Sequence, residues 1–125
     1  MNKPKLLIVE DDSFLQSIYA TKFELENFEV FCADDGEKGL RLARKELPDI
    51  VLLDIVMPKM NGLDVLRELK THDETKNIMV LLLTNLSQRS EVESGLDLGA
   101  VDYLIKAHFV PAEVVAKVKK LLKLV

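Results

Sequence analysis

A chain of 125 residues is one ordinary domain's worth, and 48% apolar with 30% charged residues excludes a disordered or fibrous class. The longest apolar run, Ile78 to Leu83, is far short of the roughly 20 residues that span a bilayer, and the run before Glu10 holds only four apolar residues, Leu6 to Val9, too few for a signal-peptide core. A net charge of −4 gives no general attraction for nucleic acid, and a single cysteine, Cys32, excludes an internal disulfide and fits a reducing compartment. These features lead us to expect a cytoplasmic protein with residues 1–125 as one domain.

Along the chain, short apolar runs alternate with helical patterns. Leu6 to Val9 reads as a first strand and ends in Glu10, Asp11 and Asp12. A first helix then starts with Ser13 as N-cap and turns Phe14, Ile18, Tyr19 and Leu25 inward. Phe28 to Ala33 is a second strand that holds Cys32 as a core residue. Asp34 and Glu37 form a capping-box pattern for a second helix carrying Leu40, Ala43 and Leu47 inward, and Pro48 stops it. Ile50 to Leu53 ends in Asp54, after which a third helix from about Gly62 aligns Leu63, Leu66 and Leu69.

Ile78 to Leu83 ends in Thr84. A weaker fourth helix, Arg89 to Leu98, turns Val92 and Leu96 inward and stops at Gly99. Tyr103 to Ile105 ends in Lys106. Pro111 opens a fifth helix with Val114, Val115, Val118, Leu121, Leu122 and Val125 on one stripe, and its lysines form a solvated face. His72 and His108 lack partner spacing for a metal and read as surface residues.

Continuous rather than alternating apolar runs imply strands covered on both faces. Five strand–helix units in strict alternation imply a doubly wound parallel α/β sandwich with right-handed crossovers. The expected strand order is 2-1-3-4-5, the flavodoxin-like one, although composition alone does not fix it. In that order the ligand crevice lies beyond strands one and three, which brings Glu10 and Asp11 beside Asp54. Three carboxylates in one crevice repel each other unless a cation sits among them, and a hard divalent ion such as Mg²⁺ or Mn²⁺ suits oxygen donors. The plain alternative is three solvated carboxylates at helix starts.

Val9 to Asp12, Leu53 to Gly62, Leu83-Thr84 and Gly99 to Lys106 together resemble the receiver domain of bacterial two-component response regulators. The resemblance runs over essentially the whole chain, with 30 residues from Asp54 to Thr84 and 22 more to Lys106. It implies that Asp54 is the phosphoacceptor for a histidine kinase. Asp11, Asp54 and the backbone carbonyl of Val56 would bind Mg²⁺, with Glu10 acting through water. Lys106 and Thr84 would contact the phosphoryl oxygens, and Tyr103 would be the aromatic switch. The side chains of Val56 and Leu86 would line the path of the attacking water, and both are apolar here. The implied partners are a histidine kinase or histidine phosphotransfer protein and a downstream protein target met by the face of helix four, strand five and helix five. The implied oligomeric state is monomer or phosphorylation-dependent dimer, without nucleic-acid or membrane contact.

Three positions depart from the family's habit. Ala107 follows Lys106 where proline is usual, Asn85 replaces a smaller residue, and Gly39 stands inside the second helix at a cost near 1 kcal/mol. None removes a catalytic group. A phosphatase of the haloacid dehalogenase type would want an acid two residues after its nucleophile, where this chain has Val56. A degenerate receiver that binds partners without phosphate is at odds with the complete set Glu10, Asp11, Asp54, Thr84 and Lys106. The expected role is therefore a stand-alone switch rather than an enzyme acting on a separate metabolite.

Overall fold

The computed structural model describes residues 3–85, 88–106 and 110–124. Strands β1 (Lys5–Val9), β2 (Glu29–Ala33), β3 (Ile50–Asp54), β4 (Met79–Thr84) and β5 (Asp102–Ile105) alternate with five helices. These are α1 (Ser13–Leu25), α2 (Gly36–Glu46), α3 (Gly62–Thr71), α4 (Arg89–Asp97) and α5 (Pro111–Leu121). All strands pair in parallel, as the alternation and the unbroken apolar runs imply, and their order is the expected β2-β1-β3-β4-β5.

Strand residues of one parity face one helical layer and their neighbours face the other. Leu7, Val9, Val51, Leu53, Val80 and Leu82 pack with Ala43, Leu66 and Val92 of α2, α3 and α4. Leu6, Ile8, Leu52, Leu81 and Leu83 pack with Tyr19 and Phe23 of α1 and Val115 and Val118 of α5. Phe23 also meets Phe28 edge to face, with ring centroids 5.0 Å apart. Coverage of both faces is the reason the central strands carry no polar side chain before their ends.

Several expected placements differ in the structure. The cap of α1 is Asp12 rather than Ser13, because the Asp12 carboxylate accepts from the amides of both Phe14 (3.0 Å) and Leu15 (3.1 Å). The inner face of α1 follows Leu15, Tyr19 and Phe23 at spacings of four, so Phe14 and Leu25 turn outward at 76% and 72% exposure. In α2 the cap is Asp35, which accepts from the Lys38 amide at 2.9 Å, one residue beyond the expected Asp34. Leu47 leaves the helical stripe in a left-handed turn (φ 48°) that caps α2, its amide donating to the Ala43 carbonyl, and is exposed.

Leu96 is exposed because Val92 and Gly95 form the inner face of α4, and a Cβ at Gly95 would lie 2.3 Å from Leu82 Cδ1. Cys32 is exposed, not core, because β2 is an edge strand with β1 on one side only. Gly39 has a packing reason, since a Cβ there would lie 2.8 Å from a Val9 methyl. The lysines of α5 are partly paired, Lys119 with Glu26 at 2.6 Å and Lys117 with Asp102. Gly99 ends α4 as expected, at φ 113°. Leu86, Ala107, His108 and Val125 lie outside the described residues. No helix among the described residues is long and apolar enough to cross a membrane.

Candidate functional site

Where β1 ends, the Glu10 amide continues the sheet by donating to the Ala33 carbonyl at 3.0 Å. The Gln16 amide group donates to the carbonyls of both Glu10 (3.0 Å) and Ala33 (3.1 Å), fastening α1 across the ends of β1 and β2. Glu10 is thereby buried with 0% exposure, while Asp11 beside it is exposed. Its Oε2 accepts from the Asp12 amide at 3.1 Å. Sequence reading missed Gln16, for which only its half-buried place in the first helix gives a sign.

Asp54 is the last residue of β3 and is 4% exposed. The loop after it folds back sharply, and the Gly62 amide donates to the Ile55 carbonyl at 2.7 Å. Glycine is required at that closure, because a Cβ on Gly62 would sit 2.2 Å from the Asp54 carbonyl oxygen. Lys59 takes a left-handed conformation at the loop tip (φ 67°) and pairs with Asp35 at 3.6 Å, tying the loop to the start of α2. Val56, exposed, donates its amide to Asp54 Oδ1 at 3.3 Å.

Carboxylate oxygens of Glu10, Asp11 and Asp54 lie within 4.8 Å of one another. Lys106, at the end of β5, reaches in from the opposite side, its Nζ 2.9 Å from Asp54 Oδ2 and 2.7 Å from Glu10 Oε1. The contact with Asp54 is a hydrogen bond. The contact with Glu10 is an ion pair outside hydrogen-bond geometry, so Glu10 Oε1 is a buried acceptor without a hydrogen bond among the described residues. Burial raises the Glu10 carboxyl above its ordinary range; the Lys106 contact pulls it down and the Asp54 charge pushes it up, leaving it raised. Burial alone would lower the Lys106 ammonium, but its contacts with Glu10 and Asp54 outweigh that and raise it.

This donor set fits a hard divalent cation. Three carboxylates converge, and among the described residues Lys106 is the one ammonium within ion-pair distance of Glu10 and Asp54.

Thr84 ends β4 one residue beyond Leu83, the register partner of Asp54, and itself pairs with Ile105 just before Lys106. It is buried, and its Oγ1 contacts the carbonyl of Asn85 at 3.1 Å and the Oε1 of Gln88 at 2.9 Å. Gln88 is 8% exposed and was not legible in the sequence. Tyr103 is 39% exposed and, with Thr84, Arg89, Val92 and Ile105, borders a cavity of about 310 Å³ between β5 and α4. Asn85, exposed, lines the same cavity rather than the acid cluster. The structure thus brings together Glu10, Asp11, Asp54 and Lys106, sets Thr84 at the neighbouring strand end, and leaves Tyr103 turned outward.

Residues 6–119 match the model of the response regulator receiver domain family. The chain is 38% identical over 120 residues to the DNA-binding dual master transcriptional regulator RpaA of Synechocystis, covering 96% of this chain and 49% of that protein. It is 36% identical over 123 residues to the alkaline phosphatase synthesis transcriptional regulatory protein PhoP of Bacillus subtilis, covering 98% and 50%. The chain therefore spans about half the length of the curated relatives it matches. Among solved structures, a putative response regulator from Chloroflexus aurantiacus superposes with a TM-score of 0.89 at 33% identity, covering 98% of this chain and 99% of that one.

Proposed function

Since this chain belongs to the response regulator receiver domain family, we propose that Asp54 is its phosphoacceptor and that phosphate on Asp54 drives the switch. The observation that carries the reading is the convergence of Glu10, Asp11 and Asp54 within 4.8 Å, with the Lys106 ammonium 2.9 Å from Asp54.

The residues divide the work of phosphoryl transfer among them. A carboxylate oxygen of Asp54 bonds to phosphorus as the donor's P–N bond breaks, and the electron pair returns to the donor imidazole. Transfer of this kind depends on positioning and on neutralising charge at the equatorial oxygens. Lys106 is already aimed at Asp54 and is held charged by its two carboxylate neighbours. Asp11, Asp54 and the Val56 carbonyl, with Glu10 through water, would hold Mg²⁺ or Mn²⁺. When bound, that ion supplies charge screening for an anionic donor's approach. Thr84 would then donate its hydroxyl to a phosphoryl oxygen, and Tyr103 would move into the cavity beside α4.

The partner on the input side would be a histidine kinase or histidine phosphotransfer protein, and exposed Phe14 and Leu25 with half-buried Ile18 and Pro111 form an apolar groove on the flank of α1 for it. On the output side we place a protein target on the face of α4, β5 and α5, rather than direct nucleic-acid contact, in keeping with a net charge of −4. The same face would serve a phosphorylation-dependent dimer. The chain acts as a cytoplasmic regulatory switch, with no turnover of a separate substrate.

Incubation with acetyl phosphate and Mg²⁺ followed by intact mass tests the reading. Wild type gains one phosphoryl group and Asp54→Asn gains none. Equal labelling of both proteins refutes it.

A further inference from the structure

We propose that Gln88 is a positioning residue of the switch: its amide oxygen holds the Thr84 hydroxyl toward α4 and sets how readily Thr84 turns to a phosphoryl group on Asp54. The inference rests on the receiver reading above and assigns a role to a residue outside the acid cluster.

Gln88 occupies the N-cap place of α4, yet its side chain caps no amide of that helix. It folds back to the end of β4, where Oε1 accepts from the Asn85 amide at 2.9 Å and contacts Thr84 Oγ1 at 2.9 Å. The backbone amide of Asn85 can only donate, so the atom facing it must be the oxygen of the Gln88 amide. That fixes the direction of the second bond, in which Thr84 donates and Gln88 accepts. A hydroxyl has one hydrogen. While it is spent on Gln88 or on the Asn85 carbonyl at 3.1 Å, Thr84 has none to give a phosphoryl oxygen.

The tie reaches the helix as well. The Gln88 amide donates to the Asn85 carbonyl at 3.1 Å, and the Gln88 carbonyl accepts from Val92 at 3.0 Å as the first turn of α4 closes. Turning Thr84 away therefore loosens a contact of the residue that starts α4. The released oxygen keeps the Asn85 amide, so release leaves no buried acceptor orphaned. It costs one neutral hydrogen bond, which corresponds to about fivefold in an equilibrium.

Beryllofluoride with Mg²⁺ serves as the probe, titrated by NMR on the Asn85 amide resonance. Gln88→Leu removes the acceptor at similar volume and is expected to tighten beryllofluoride binding about fivefold. Gln88→Glu keeps an acceptor oxygen and is expected to bind as wild type or more weakly. In a Thr84→Val background the effect of Gln88→Leu disappears. Gln88→Met is read in parallel, so that a packing fault peculiar to leucine does not decide the result. Unchanged or weaker binding in both apolar variants, with wild-type thermal midpoints, overturns the proposal, as does an effect that persists with Thr84→Val. A wild type that binds no beryllofluoride, or binds it equally with Asp54→Asn, overturns the receiver reading instead and this proposal with it.

Discussion

The first and fourth helices both start at the carboxyl end of a strand beside the site, but they are fastened to it differently. α1 is anchored three times over: Asp12 caps two of its amides, Gln16 bonds the carbonyls ending β1 and β2, and Tyr19 and Phe23 are buried beneath it. α4 has no side-chain cap, buries only Val92 and Gly95 within its span, and borders a cavity. Its start is joined to β4 by the bonds from Asn85 and Thr84 to one amide oxygen. The half of the site that gathers carboxylates is thus tied down at several points, and the half proposed above to sense phosphate is held by contacts that can be exchanged. Elements that move in a switch come from the least anchored part of a fold.

The sharpest contrast comes from adding a methyl group to each half. A Cβ on Gly62 would lie 2.2 Å from the backbone oxygen of Asp54, which has no rotamer to escape by. Gly62→Ala is expected to cost about 3 kcal/mol by overpacking. Gly95→Ala meets the end of the Leu82 side chain, which can shift, and gains about 1 kcal/mol of helix propensity in return. Its net cost is expected to stay near or below about 1 kcal/mol. Urea unfolding of both variants checks the order, and equal losses would mean that α4 is packed as rigidly as the β3–α3 loop.

Lys106→Met comes next. It leaves Glu10 and Asp54 facing each other without a counter-charge, and removing one partner of a buried pair costs about 3–5 kcal/mol; partial exposure of Lys106 brings the expectation to about 2 kcal/mol at pH 7. The sign with pH follows from Glu10. A carboxyl whose folded pKa is raised contributes stability that is complete below its unfolded value near 4.5 and is lost as pH rises through the folded value. Without Lys106 that value rises further, so the variant should recover toward wild type as the solution is acidified past it. Thermal melts across pH 4 to 8 show whether the gap closes, and millimolar Mg²⁺ should close part of it at pH 7. A gap independent of both would mean that the carboxylates do not act on one another.

Smallest is the cap. Asp12→Ala removes the acceptor for two amides and should cost about 1 kcal/mol. A loss confined to fraying of the first turn of α1, seen by amide exchange, leaves the rest of the anchoring intact.

How much of this was legible in the sequence follows from the same physics. The central strands β1, β3 and β4 were readable because burial on both faces forces unbroken apolar runs, and these runs stop at the polar residues Glu10, Asp54 and Thr84. Helix faces and caps were less readable. Asp11, Asp12 and Ser13, or Asp34 and Asp35, are all competent caps, and the choice between neighbours depends on where the backbone turns. Phe14, Leu25, Leu47 and Leu96 are apolar but lie beyond the buried arc, and hydrophobicity alone does not separate an inner face from an exposed patch. Gln16 and Gln88 carry no periodic signal, since their partners are backbone and hydroxyl groups brought near only by the fold.

The contrast between a fixed α1 and an exchangeable α4 is tested most directly by hydrogen exchange of the protein alone against the protein loaded with beryllofluoride and Mg²⁺. Changes in protection are expected across Arg89–Asp97 and Asp102–Ile105, while Ser13–Leu25 stays as it was. Changes concentrated on Ser13–Leu25 and Gly36–Glu46, with Arg89–Asp97 untouched, would contradict the account.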